Sequence, residues 1–115
     1  MDSALRDCLE EIIRQAHAIQ QYTSRLTLDA YRQDDKTQAA VERRFEIIGE
    51  ALNRIAKIDS TVVKRIRDYK NIIAFRNILA HGYDHVDPVL VWGVIEGDVL
   101  QLLDDVAALL ENEGD

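Results

Sequence analysis

Apolar residues along this chain recur at steps of three and four, the spacing that lines one side of an α-helix. From Ser3 to about Tyr22 the stripe is Leu5, Leu9, Ile12, Ile13, Ala16 and Ile19. Thr27 to Gln33 reads as a weaker amphipathic turn or short helix. Asp35-Lys36-Thr37-Gln38 places an N-cap acceptor three residues before a glutamine, close to a capping box, and opens a long helix. Its stripe is Val41, Phe45, Ile48, Ala51 or Leu52, Ile55 and Ile58. Gly49 inside it costs about 1 kcal/mol relative to alanine, a cost that close approach of another helix would explain. Asp59-Ser60 offers the next N-cap, and Val62, Val63, Ile66 and Tyr69 begin a segment that either continues or breaks before Asn71. Ile72 to Leu79 then meets no helix breaker until Gly82. Asp87-Pro88 joins an N-cap carboxylate to proline at the first helical position. The last helix should run from there to about Leu110, burying Val91, Ile95, Val99, Leu102, Val106 and Leu109. The runs Ile72-Ile73 and Val89-Leu90-Val91 are too short for strands and lie within helical pattern. The expectation is an all-α, up-and-down bundle of four main helices with one or two short extra ones.

Composition agrees with that pattern. The 115 residues make one domain's worth, 1–115, rich in Leu, Ile, Ala, Glu, Asp, Arg and Gln and poor in aromatics, Gly and Pro. Cys8 is the single cysteine, which excludes an internal disulfide and a cysteine metal site; it should pack as a small apolar residue. The first residues lack the order of a signal peptide, and no apolar run is long enough to span a bilayer. A cytoplasmic location is the default expectation.

Net charge is −7, unevenly spread. Residues 61 to 83 carry Lys64, Arg65, Arg67, Lys70 and Arg76 against Asp68, a balance of +4, while residues 84 to 115 hold nine acids and no Lys or Arg. General attraction of such a chain to nucleic acid is weak, so any RNA contact must focus on the basic run. Its bland reading is a solvated helix face.

Within that run, Arg76-Asn77-Ile78-Leu79-Ala80-His81-Gly82-Tyr83 sets a permanent cation, an imidazole and a phenol within eight residues. A guanidinium forks onto phosphate oxygens, and histidine moves protons near neutral pH. At about 100° per residue, Arg76 and His81 stand roughly 140° apart on an unbroken helix, so one regular helix does not aim both at one ligand. A glycine-terminated helix end at Gly82 or a second copy related by two-fold symmetry would bring them together. Asn77 lies four residues from His81 and shares its face, where its amide is placed to orient the imidazole or the substrate.

These residues resemble a known family. Arg-Asn-x-x-x-His-x-Tyr, here Arg76, Asn77, His81 and Tyr83, is similar to the signature of HEPN domains, specifically the HepT-type toxins. The phrase Arg44-Phe45-Glu46-Ile47-Ile48-Gly49-Glu50-Ala51-Leu52 also resembles that subgroup, and with the helix order the similarity covers nearly the whole chain. Tyr69 stands where tryptophan would be expected, a difference of packing more than chemistry. The resemblance implies a metal-independent endoribonuclease needing no cofactor of its own, the toxin of a toxin–antitoxin pair, whose homodimer forms one cleft from two motifs. It also implies a cognate MNT-type nucleotidyltransferase antitoxin that silences the toxin by transferring AMP to the motif tyrosine, Tyr83, using ATP and Mg²⁺.

The residues suit that chemistry. Arg76 stays protonated and fits phosphate binding and charge stabilisation, and His81, with a reference pKa of about 6.5, fits general acid or base work. A nucleotide on Tyr83 would add bulk and negative charge where RNA phosphate should sit. Plainer readings stand beside these. Arg76 is also a helix cation within reach of Glu46 or Glu50, His81 a helix-end residue, and Tyr83 a half-buried wedge. His81 and His85 with Asp84 and Asp87 superficially suggest a metal site, which Gly82 and the Asp87-Pro88 cap argue against. His17 is isolated on the first helix. The rival function is a noncatalytic helical subunit that binds a nucleotidyltransferase or its substrate.

Overall fold

Among the described residues, five of the six helices start on a side chain that their own sequence supplies. In a computed structural model describing residues 1–81 and 86–113, α1 (Ser3–Thr23) begins where Asp2 accepts the Ala4 and Leu5 amides, and α2 (Leu28–Arg32) where Thr27 accepts that of Ala30. The next helix, α3 (Asp35–Ile58), begins on Asp34, and α4 (Ser60–Val63) on Asp59. In α6 (Pro88–Glu113), Val89 N–H donates to Asp87 Oδ1 at 2.9 Å. The exception is α5 (Tyr69–Ala80), which follows Asp68 in left-handed backbone, φ 60°, with no side-chain cap. Each satisfied donor removes one of the orphan amides that a helix start leaves.

The long helix is capped one residue earlier than its sequence suggests. Asp34, not Asp35, accepts the Thr37 amide at 3.0 Å and its hydroxyl at 2.7 Å. Gln38 turns back instead, donating to the carbonyls of Tyr31 (2.8 Å) and Arg32 (3.2 Å). It therefore stitches the end of α2 to the start of α3.

Packing follows the apolar stripes. α1 lies along α3, α5 along the other flank of α3, α6 along α1, and α2 bridges α3 and α6. Leu9, Ile12, Ile19, Val41, Phe45, Ile48, Leu52, Ile55, Leu102 and Leu109 are all but sealed from solvent. Phe45 meets Phe75 edge-on at 5.2 Å, fixing α5 to α3, and Tyr31 meets Trp92 at 5.3 Å, fixing α2 to α6. The Tyr31 hydroxyl is buried without a partner among the described residues; burial first, then the carboxylates of Glu42 and Asp34, push its pKa well up. Three stripe positions depart from expectation, the first being Ile13 of α1, which is half-buried. Ile58, at the last residue of α3, is exposed, and Ile95 is half-buried while Leu103 beside the expected stripe is buried.

The side between α5 and α6 is left open as a shallow groove, lined by Ile72, Phe75, Ile78, Leu90 and Val94 with Asn71 and Asp98 at its polar end. Burial and the nearby Asp68 carboxylate raise the Asp98 pKa. Leu90 and Val89 are exposed on the same stretch of α6, and a side chain at Gly93 or Gly97 would meet only open space. An amphipathic helix does not ordinarily leave such a face uncovered.

Two contacts fix where α5 sits. At Gly49, an added Cβ would overlap Cβ and Cγ of Arg76, so the glycine marks the close helix approach that its cost anticipates. At the α4–α5 turn, Arg67 gives Asp105 of α6 its backbone N–H (2.9 Å) and both Nε and NH2 (3.1 and 2.9 Å), and Gln101 donates to Asp68 at 3.1 Å. Burial pulls the Asp105 pKa up, but the hydrogen bonds from Arg67 outweigh it and hold the carboxyl below its usual range.

Gly49→Ala gains helix propensity but overpacks the α3–α5 contact; urea unfolding should show a net loss of about 1–3 kcal/mol. A depressed carboxyl stabilises the fold above its unfolded pKa of about 3.9 and loses that contribution as pH falls through its folded value. Asp105→Asn should therefore melt below the parent chain at neutral pH, with the gap closing in acid.

Candidate functional site

The geometry of α5 divides the motif between two sides. Ile72, Phe75 and half-buried Leu79 turn toward the core, and Arg76 goes with them. Asn77 and Ile78 point outward. His81 is exposed at the C-cap, φ −93° and ψ 21°, its N–H donating to the Asn77 carbonyl at 3.1 Å. The helix is regular through Ala80, so the wide angle between Arg76 and His81 persists. No hydrogen bond joins the two side chains among the described residues. Gly82, Tyr83, Asp84 and His85 lie outside those residues.

Arg76 is held on three sides. Its aliphatic stem lies across Gly49, NH1 donates to Asn77 Oδ1 at 3.0 Å, and NH2 reaches Glu50 Oε1 at 3.4 Å. Nε is buried and has no acceptor among the described residues. With a quarter of its side chain exposed, the guanidinium is oriented yet still open to a ligand. The Asn77 side-chain oxygen is thus engaged by the neighbouring arginine.

Glu50 is the residue whose part pattern reading left open. It follows the one glycine of α3, and only the folded contact of that glycine with the Arg76 stem brings the two charges alongside. Glu46 instead pairs with Arg43 at 3.3 Å on the exposed side of the same helix. Arg44 is structural, donating to Gln15 and Tyr22 of α1 at 2.9 Å each. His17 is exposed on α1.

The basic run is less available than its charge count suggests. Arg67 is committed to Asp105, while Lys64 and Lys70 are exposed. Among the described residues, no group of three or more His, Cys, Asp and Glu side chains is arranged to hold a metal ion, and no helix is long and apolar enough to cross a membrane.

Comparison with known proteins points the same way as the motif. Residues 12–109 match the family model described as "Ribonuclease HepT-like". A "Probable ribonuclease HepT" of Thermococcus cleftensis is 30% identical over 102 residues, covering 89% of this chain and 92% of the relative. A Methanocaldococcus jannaschii protein called a "gamma-glutamylcyclotransferase and putative RNase" is 31% identical over 103 residues, 90% of this chain but 46% of that longer protein. No solved structure matches the chain.

The buried Arg76 Nε–H should exchange slowly with solvent in nitrogen-detected NMR. Glu50→Ala should speed that exchange roughly twofold to fivefold, the factor that a half-exposed ion pair supplies. Unchanged exchange would mean that Glu50 does not restrain the arginine.

Proposed function

Because this chain belongs to the HepT-like ribonuclease family, we propose that it is a metal-independent endoribonuclease, the toxin of a toxin–antitoxin pair, working in the cytoplasm as a homodimer. The observation that carries this reading is the state of Arg76: a permanent cation, half-buried and already oriented by Glu50 and Asn77, with its outer edge open. A scaffold has no use for such a group beside an exposed histidine.

Cleavage requires the 2′-oxygen of a ribose to attack the adjacent phosphorus while the 5′-oxygen leaves. His81 takes the 2′-hydroxyl proton or gives one to the 5′-oxygen. Arg76 binds the phosphate and stabilises the charge that builds on its equatorial oxygens, a task for a donor fixed in advance. Since α5 aims the two residues apart, the cleft takes Arg76 from one protomer and His81 from its partner. The uncovered apolar stretch of α6 beside α5, Val89, Leu90, Gly93 and Gly97, supports a two-fold interface close to the motif.

Tyr83, two residues beyond His81, is the control point in this reading. A cognate MNT-type nucleotidyltransferase would transfer AMP from ATP to its phenol oxygen, releasing pyrophosphate, with Mg²⁺ bound to that partner. The added phosphate would then repel RNA from the cleft.

With tRNA or total RNA in EDTA, the intact chain should cut, and Arg76→Ala and His81→Ala should each lose at least about a hundredfold. Mixing the two variants should restore about a quarter of the intact rate, because half of the randomly formed dimers keep one composite site. No restoration would sink the shared cleft, and no cleavage by the intact chain would leave the noncatalytic subunit as the better reading. With the nucleotidyltransferase, ATP and Mg²⁺, intact mass should rise by AMP, and Tyr83→Phe should abolish the rise.

A further inference from the structure

A second concavity, about 750 Å³, runs between α1 and α3. On α3 it is lined by Arg43, Glu50, Arg54 and Lys57, spaced by seven, four and three residues, so all four share one face of the helix. From Arg43 to Lys57 that face is about 21 Å long at 1.5 Å per residue. Glu50 sits midway and belongs to both places: it lines this groove and holds Arg76. The Arg76 stem crosses α3 at Gly49 and its NH2 reaches Glu50, so the guanidinium meets the groove at Glu50 without itself lining it.

We infer that the groove between α1 and α3 is a subsite for the phosphate backbone of single-stranded RNA, continuous with Arg76 and gripped by Arg54 and Lys57, with Arg43 at its far end. The inference rests on the nuclease reading for its link to cleavage, but binding can be measured without it.

Charge supports this occupant. The α1 wall contributes Glu11, already paired with Arg14 at 3.0 Å, and Asp7. On α3, Arg43 is paired with Glu46 and Glu50 with Arg76. Arg54 and Lys57 are exposed and make no hydrogen bond or ion pair among the described residues. Set against Asp7 they leave the groove positive on a chain of net charge −7. The Arg43 pair is an exposed one of little net worth, so the guanidinium is free to exchange Glu46 for a phosphate. A charged groove that tracks the backbone is the ordinary device for holding a single strand. With no aromatic side chain lining it among the described residues, this one would hold phosphates without stacking bases.

The test combines Arg54→Glu with Lys57→Glu and compares it with Arg32→Glu/Lys36→Glu, exposed positions outside the groove that change net charge equally. Fluorescent single-stranded RNA is titrated onto each pair in a His81→Ala chain, which binds without cutting. The groove pair should weaken binding at least about tenfold and lower the log–log salt slope by about 1.4, or 0.7 for each lost single-strand phosphate contact. The control pair should stay within about twofold. In a cutting-competent chain the groove pair should raise KM and leave kcat unchanged. Equal weakening by both pairs, or by neither, overturns the subsite. So does a change of oligomeric state in the groove pair with RNA affinity intact, which would assign the groove to a protein. If the intact chain does not cut RNA but binding still depends on Arg54 and Lys57, the nuclease reading falls and the subsite stands. Cutting that ignores both residues removes the subsite alone.

Discussion

The missing side chain at Gly49 is the constraint on which the rest of this protein depends. A helix of 24 residues accepts one poor helix former because another helix must pass close by there, and what occupies the space is the stem of Arg76. The same contact serves packing and chemistry. It seats α5 against α3 beside the Phe45–Phe75 edge contact, and it forces the Arg76 head outward to Glu50. Loss of solvent around Nε is the cost of that seating, offset by the two hydrogen bonds at the guanidinium's far end.

A second consequence is asymmetry in the bundle. α5 is bound tightly to α3 along one flank and tied at its start to α6 through Arg67 and Asp105, yet a groove separates it from the first half of α6. That half carries exposed Val89 and Leu90 and two glycines open to solvent. An uncovered apolar face next to a motif whose two halves point apart is a coherent arrangement if a second protomer supplies both the cover and the missing half of the site.

Charge is organised by folding rather than by the order of residues. The run from 61 to 83 holds the excess of Lys and Arg, but its Arg67 is consumed in anchoring a turn. Cations from a different helix, Arg43, Arg54 and Lys57, are brought into line beside Glu50 by the helical repeat. Among the described residues, the groove is lined by four cations, Arg14, Arg43, Arg54 and Lys57, against three acids, Asp7, Glu11 and Glu50. An acidic protein can therefore present a local positive groove without being drawn to nucleic acid in general.

The periodicity of apolar residues determined the helices, their order and nearly all of the core, because a 3.6-residue repeat with acidic and hydroxyl caps leaves little freedom over twenty residues. The motif Arg76, Asn77, His81 was equally legible, as was the reason for Gly49. The Asp34 cap was missed because adjacent aspartates offer the same signal, and the turn from α2 decides which is used. What Arg76 touches was decided only in three dimensions: Glu50 is 26 residues away in sequence, and no local rule chooses it over Glu46. The groove between α1 and α3 belongs to the same class, since a surface made by two helices exists only once their stripes have met.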